Sequence, residues 1–180
     1  MNTYESEFED NLEVARSLLA QSEDASALLE ASDFVNRALA IQSDSASAWL
    51  VKAQVHSALD DDFAALAAVE MALHYHSTMA EAHYWRAAVL ADLERYDEAL
   101  AAIDEAFVRL GCTGGVDDDW LLEDLYYEKA LIEDGLGQLE RAAATFREGL
   151  QKCPNSPALK ALERETMRAK LKVIPGGRAW

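Results

Sequence analysis

The chain has 180 residues, 51% of them hydrophobic, and a formal net charge of −17. This length and apolar content suffice for one domain with a continuous core. No apolar run is long enough to span a bilayer, and the first ten residues are acidic where a secretory signal would be basic and then apolar. Cys112 and Cys153 lack CxxC spacing, which favours reduced thiols and a cytoplasmic location.

Apolar residues recur at helical spacing along most of the chain, and turn or capping residues separate the periodic stretches. They predict helices over residues 4–21, 25–41, 46–59, 62–74, 79–93, 96–110, 118–134 and 138–152. A more polar helix is predicted over residues 157–172. The tail over residues 173–180 contains Pro175-Gly176-Gly177, which cannot continue it.

The stretch from Ala80 to Phe107 recurs at an interval of 34 residues. One step back, Trp49 aligns with His83, and a set of small residues aligns in the same way: Ala53 with Ala87, Ala65 with Ala99, and Ala72 with Ala106. A further step back reaches Leu12, with Ala31, Val35 and Ala38 at matching offsets. A fourth copy, displaced by nine extra residues, carries Ala142-x3-Phe146 and ends near Pro154.

This pattern of paired helices resembles the tetratricopeptide repeat (TPR) family, whose repeats have 34 residues with small and aromatic residues at fixed positions. The resemblance covers repeats at about residues 12–45, 46–79, 80–113 and 123–156. It implies an all-α fold, an α-α superhelix or TPR solenoid of antiparallel helix pairs. We expect a single domain over residues 1–172, closed by a capping helix over residues 157–172.

No constellation of catalytic residues emerges. Gly114-Gly115 is not followed by the remainder of a phosphate loop, and Asp117 to Asp119 lack calcium-loop spacing. His74, His76 and His83 are irregularly spaced for zinc, and His83 occupies the aromatic position of its repeat. We therefore expect no enzyme activity, no metal and no cofactor.

The charge is divided unevenly along the chain. Residues 157–180 contain six basic residues and two acids, a local charge of +4, whereas residues 1–156 carry −21. Such an acidic body repels phosphate backbones and argues against nucleic-acid binding.

The TPR resemblance implies a concave wall formed by the first helix of each repeat, with contacts at its second, fifth, sixth, ninth and thirteenth residues. The candidate groove residues are Leu50, Gln54, Glu81, Tyr84, Trp85, Asp92, Asp124, Tyr127, Glu128 and Leu131. Further positions of the same pattern are Ser47, Val51, Ala58, Ala88 and Gly135, with Glu13, Arg16, Ser17, Ala20 and Asp24 in the first repeat.

The charge of this wall predicts its ligand. The cochaperones of the family that grip the carboxylate tails of heat-shock proteins use basic residues and asparagine at several of these positions, whereas this wall offers only Arg16 among acids. We therefore expect a protein or peptide segment that is apolar and carries Lys or Arg, with no nucleic acid and no membrane as partner.

The predicted function is a non-enzymatic adaptor, scaffold or chaperone. The sequence leaves open a TPR-type secretion chaperone for an exported protein and an accessory subunit that regulates an enzyme complex. It also leaves open a homo-oligomer formed through the C-terminal helix or tail. A narrower hypothesis is that the basic tail, which ends in Arg178-Ala179-Trp180, occupies the acidic groove of its own or a neighbouring chain.

Overall fold

A computed structural model describes residues 3–21, 24–113, 119–162 and 164, and these residues form helices and turns without any strand. The helices are α1 (Thr3–Gln21), α2 (Ala25–Ile41), α3 (Ala46–Ala58), α4 (Asp62–Tyr75), α5 (Ala80–Asp92), α6 (Tyr96–Thr113), α7 (Asp119–Gly135) and α8 (Leu139–Lys152). A further helical segment begins at residue 157. The predicted all-α fold is confirmed. Within the described ranges, no helix combines the length and apolarity needed to cross a membrane.

The turns inside the second, third and fourth helix pairs share one conformation. Asp60, Glu94 and Gly137 each adopt a positive φ, of 57°, 58° and 71°. In each turn a backbone N–H just beyond that residue donates to a carbonyl five residues earlier: Asp61 to His56, Arg95 to Leu90, and Gln138 to Glu133, at 2.8–2.9 Å. This bond and the left-handed residue end a helix in the manner of a Schellman motif. The nine extra residues before the fourth repeat, the last four of which belong to α7, therefore leave the turn of its hairpin unchanged.

Small residues line the helix crossings. Seven repeat alanines have no exposed surface: Ala53, Ala87 and Ala130 in first helices, and Ala31, Ala65, Ala99 and Ala142 in second helices. Without bulky side chains at the crossing, helix axes can approach to the lower end of the usual 8–10 Å range. Larger residues such as Ile103, Leu125 and Phe146 fill the space around these crossings and are also buried.

The stack of helix pairs curves toward its first helices. Each helix packs on the next, and α1 also contacts α3, α3 contacts α5, and α5 contacts α7, with Cα atoms within 8 Å. Among the described residues, no such approach joins α2 to α4, α4 to α6, or α6 to α8. The odd-numbered helices therefore form the inner, concave wall, as the TPR resemblance implies.

A polar contact recurs on the outside of each junction between pairs. A basic residue of a first helix donates to the second helix of the preceding pair: Lys52 to Asn36 at 2.9 Å, Arg86 to Glu70 at 2.7 Å, and Lys129 to Asp104 at 2.6 Å. These basic residues occupy the same position in the second, third and fourth repeats. Each exposed contact contributes little by itself, on the order of 1 kcal/mol or less, but all three favour the same register between neighbouring pairs.

Gly149 in α8 is tightly packed, and it provides a test of packing at the C-terminal end. A Cβ there would lie 2.8 Å from Tyr126 Cβ and 3.1 Å from Leu159 Cδ1, whereas a Cβ at Gly111 in α6 meets no described atom within 4 Å. Both Gly→Ala changes gain helix propensity, but only Gly149→Ala overpacks the core. We expect Gly149→Ala to be less stable than Gly111→Ala by about 1–3 kcal/mol in urea denaturation. Equal stability of the two variants would contradict this packing.

Candidate binding groove

The amino-terminal half of the concave wall contains a pocket of about 510 Å³. We call it the α1/α3/α5 pocket. It is lined by Arg16, Leu19 and Ala20 of α1, Gln54, Ser57 and Ala58 of α3, and Glu81 and Trp85 of α5. Six of these residues occupy contact positions that the repeat pattern identifies, and Leu19 and Ser57 do not. Three separate repeats therefore contribute to one cavity.

The polar groups of this pocket centre on Glu81. Gln54 Nε2 donates to Glu81 Oε1 at 3.4 Å. Burial raises the pKa of the Glu81 carboxyl, while the nearby Arg16 guanidinium and, more weakly, the side chains of Gln54 and Trp85 lower it. Burial has the largest effect, so the net pKa lies above its usual value.

Trp85 connects the pocket to the rest of the groove. Its ring stands edge-on to the ring of Tyr84, with centroids 5.7 Å apart and planes at 73°. The indole also packs against the buried cluster that includes Leu50 and Ala82. Its Nε1–H is near enough to influence Glu81, yet it makes no full hydrogen bond within the described part of the chain. Trp85 therefore packs partly against the core and partly forms the wall of the pocket.

Carboxylates converge on Tyr84 in the other half of the groove. Burial raises the pKa of the Tyr84 hydroxyl most, and the charges of Asp124, Glu128, Asp92 and Glu81 raise it further, in that order. Asp124 and Glu128 come from α7, whereas Tyr84 and Asp92 come from α5. We call Asp92, Asp124 and Glu128 the Tyr84 acid cluster.

Within this cluster the carboxylates repel one another. Burial raises the pKa of Glu128 to about 7, with help from Asp92 and Asp124, so this group is only partly ionised at neutral pH. Partial burial also raises the pKa of Asp92, beside Asp62 and Asp60, and that of Asp124, beside Glu123. In the part of the chain that the structure describes, the ion pairs join other residues and none neutralises this cluster.

Val51, at a predicted contact position, is buried in the core, and so is the candidate groove residue Leu50. It is only 3% exposed and packs with Ala53, Val69 and Ala72 in the core between the second and third pairs. The face of α3 that carries Leu50 turns toward α4 and α5, so the Leu50 side chain belongs to the core. The pocket residues that the pattern missed, Leu19 and Ser57, each precede a predicted position by one residue.

Tyr127 and Leu131 lie on the same helix as Glu128 and are half-buried. Tyr127 packs against the cluster that contains Tyr126 and Phe146. The exposed part of each of these two side chains is available to a ligand at the carboxyl-terminal half of the concave wall. Their role in binding stays a prediction.

His83 has a structural role. Trp49 Nε1 donates to the carbonyl of Ser43 at 2.9 Å, and 34 residues later His83 Nε2 donates to the carbonyl of Ser77 at the same distance. His83 thus replaces an aromatic residue that anchors the loop before its helix. The described residues contain no group of three or more His, Cys, Asp or Glu side chains placed to hold a metal ion.

Comparison with known proteins identifies the fold. No protein-family model and no curated protein matches the chain. Among solved structures, PilF of Pseudomonas aeruginosa is 17% identical with a TM-score of 0.77, covering 95% of this chain and 72% of its own. YrrB, described as a TPR protein with an unusual peptide-binding site, is 17% identical with a TM-score of 0.64, covering 96% of this chain and 86% of its own.

A third similar structure is the first TPR domain of Spaghetti (RPAP3) bound to the HSP90 peptide SRMEEVD. It is 15% identical with a TM-score of 0.60, covering 72% of this chain and 98% of its own. These likenesses show that the chain has the TPR fold.

The raised pKa of Glu128 predicts a pH-dependent cost to stability. The folded state holds this proton more tightly than the unfolded state, whose pKa is near 4.5, so stability falls as pH rises from about 4.5 to about 7. We expect Glu128→Gln to raise the free energy of unfolding at pH 8 by roughly 1–3 kcal/mol, with a much smaller gain at pH 5.

The exposed Glu30 on α2 offers a matched control, because Glu30→Gln removes the same charge far from the groove. Urea denaturation of both variants at the two pH values measures the effect. A gain for Glu128→Gln that is equal at pH 5 and pH 8, or equal to that of Glu30→Gln, would contradict the assignment.

Proposed function

We propose that this TPR-fold chain is a non-enzymatic protein-interaction module, an adaptor or chaperone of the cytoplasm, whose concave groove holds a partner segment that is apolar and carries Lys or Arg. The observation that carries this proposal is the Tyr84 acid cluster, three partly buried carboxylates that no described cation neutralises. It adjoins a pocket lined by Leu19, Ala20, Ala58 and Trp85. An ammonium or guanidinium group on an apolar segment complements both features.

The energetics of the cluster favour such a ligand. In the free protein burial makes ionisation of Glu128 costly, and the charges of Asp92 and Asp124 raise its pKa further. A cation placed among them replaces repulsion with attraction, and in a partly desolvated site that exchange is larger than at an open surface. Part of the binding free energy would therefore come from relief of repulsion that the folded chain already contains.

The similar structures supply a contrast. The YrrB structure is described by its peptide-binding site, and the Spaghetti TPR domain is bound to SRMEEVD, a peptide rich in acids. In this chain, an acidic peptide along the concave wall would meet Glu81, Asp92, Asp124 and Glu128. Repulsion between like charges would exclude it, so a ligand of opposite charge is the better fit.

A charge-removal experiment tests the proposal. We expect Asp92→Asn with Asp124→Asn to weaken binding of basic, apolar peptides by roughly 5- to 30-fold, the equivalent of about 1–2 kcal/mol. The matched control is Asp10→Asn with Asp33→Asn, which changes the net charge equally at exposed sites. Fluorescence anisotropy gives the dissociation constants, with SRMEEVD as the acidic probe. Equal weakening by both double variants, or tight binding of SRMEEVD, would contradict the proposal.

Binding should also release protons. A ligand cation beside Glu128 lowers its pKa from about 7, so the affinity rises with pH between about 6 and 8 and then levels off. Isothermal titration calorimetry near pH 6.5, in two buffers with different ionisation enthalpies, measures the protons released per peptide bound. The wild type should release a measurable fraction of a proton and Glu128→Gln much less. Zero release by the wild type would contradict the role of Glu128.

A further inference from the structure

We infer that the groove recognises two side chains of one ligand segment: a bulky apolar side chain enters the α1/α3/α5 pocket, and a Lys or Arg about three residues away lies against the Tyr84 acid cluster. This inference rests on the proposed function and deepens it by fixing the composition and spacing of the ligand. It follows from the different chemistry of two adjoining regions on one wall.

The α1/α3/α5 pocket is suited to an apolar side chain. Its volume of about 510 Å³ falls in the range of sites that bury small ligands. The space exists because Ala20 and Ala58 are short and exposed at positions where a larger residue would fill it. Leu19 and the Trp85 ring add apolar wall. An aromatic or branched aliphatic side chain would bury apolar surface here, worth about 25 cal/mol per Å² removed from water.

This pocket offers little attraction to a cation. Its single acid, Glu81, already accepts a hydrogen bond from Gln54 and lies in the field of Arg16. The Tyr84 acid cluster has three carboxylates and no such compensation within the described residues. The two regions therefore favour different parts of a ligand, the apolar part toward α1 and the cationic part toward α7.

The distance between the regions sets the spacing. They share α5, since Glu81 and Trp85 line the pocket whereas Tyr84 and Asp92 belong to the acidic side, and the two aromatic rings touch. The pocket reaches the gap between α3 and α5, and the acid cluster lies between α5 and α7. The two gaps are one helix spacing apart, about 8–10 Å. An extended segment covers that distance in about three residues, at about 3.3 Å each.

Defined peptides test this arrangement. The probes are eight-residue Gly/Ser peptides with blocked ends, containing one Trp and one Arg either three positions apart, in both orders, or adjacent. NMR titration measures their affinities. We expect one of the two peptides whose Trp and Arg are three positions apart to bind at least fivefold more tightly than the peptide in which they are adjacent. Replacing either its Trp or its Arg by Ala should lower its affinity about tenfold.

Protein variants then assign each side chain to its region. Ala58→Phe fills the pocket and should abolish the difference between the Trp peptide and its Ala version, while the Arg contribution persists. Asp92→Asn with Asp124→Asn should abolish the contribution of the Arg, while the difference between the Trp peptide and its Ala version persists. Ala101→Phe, at an exposed alanine of α6, is the control for added bulk and should change neither.

The outcomes separate this inference from the proposed function. If Ala58→Phe weakens the Trp and Ala peptides equally, or if spacing has no effect while Arg still matters, the two-region inference is overturned and the acidic groove stands. If no Arg-containing peptide binds above the level of its Ala version, the inference and the proposed function both fail.

Discussion

The close approach of helices at alanine-lined crossings is the constraint on which the rest of this structure depends. A first helix must pack against its own partner and against the first helices on either side, and only small side chains at the crossings permit all of these contacts. Ala53, Ala87 and Ala130 satisfy this requirement with no exposed surface. Among the described residues, first helices approach one another and second helices do not. The stack therefore curves, and the curve creates the wall that holds the candidate groove.

Burial of the acids of that wall opposes folding, and we propose that binding of a cationic ligand accounts for their position. Surface acids that only promote solubility would point to water, where repulsion is screened. Asp92, Asp124 and Glu128 instead face Tyr84 from two repeats, and burial together with their mutual charge raises the pKa of Glu128 to about 7. Perturbed carboxyl groups gathered in a concavity are typical of functional sites. The recurrent outer contacts, such as Arg86 to Glu70, show the opposite arrangement, in which each charge has its partner.

Most of the architecture could be predicted from the sequence because it depends on local periodicity. The small residues recur at 34-residue intervals, and the helices end at turns whose residues tolerate a positive φ, such as Asp60 and Gly137. The side-chain environment was harder to predict. Leu50 occupies a contact position of the repeat pattern but is buried, because a rotation of α3 by a fraction of a turn decides which face meets the core. Leu19 packs against the core of the first pair and also borders the pocket, a double role that helical periodicity alone does not predict.

The sequence predicts the negative sign of the charge in the groove but not the arrangement of its carboxylates. The sequence shows that acids outnumber bases at the wall positions, but the convergence of α5 and α7 carboxylates on one hydroxyl depends on the angle between neighbouring pairs.

The most direct test of the account is an NMR map of the amide and side-chain shifts that a basic, apolar peptide perturbs. The account predicts the largest changes at Gln54, Tyr84, Trp85 and Glu128, on the inner faces of α3, α5 and α7. Changes centred on α2, α4 and α6 would contradict it.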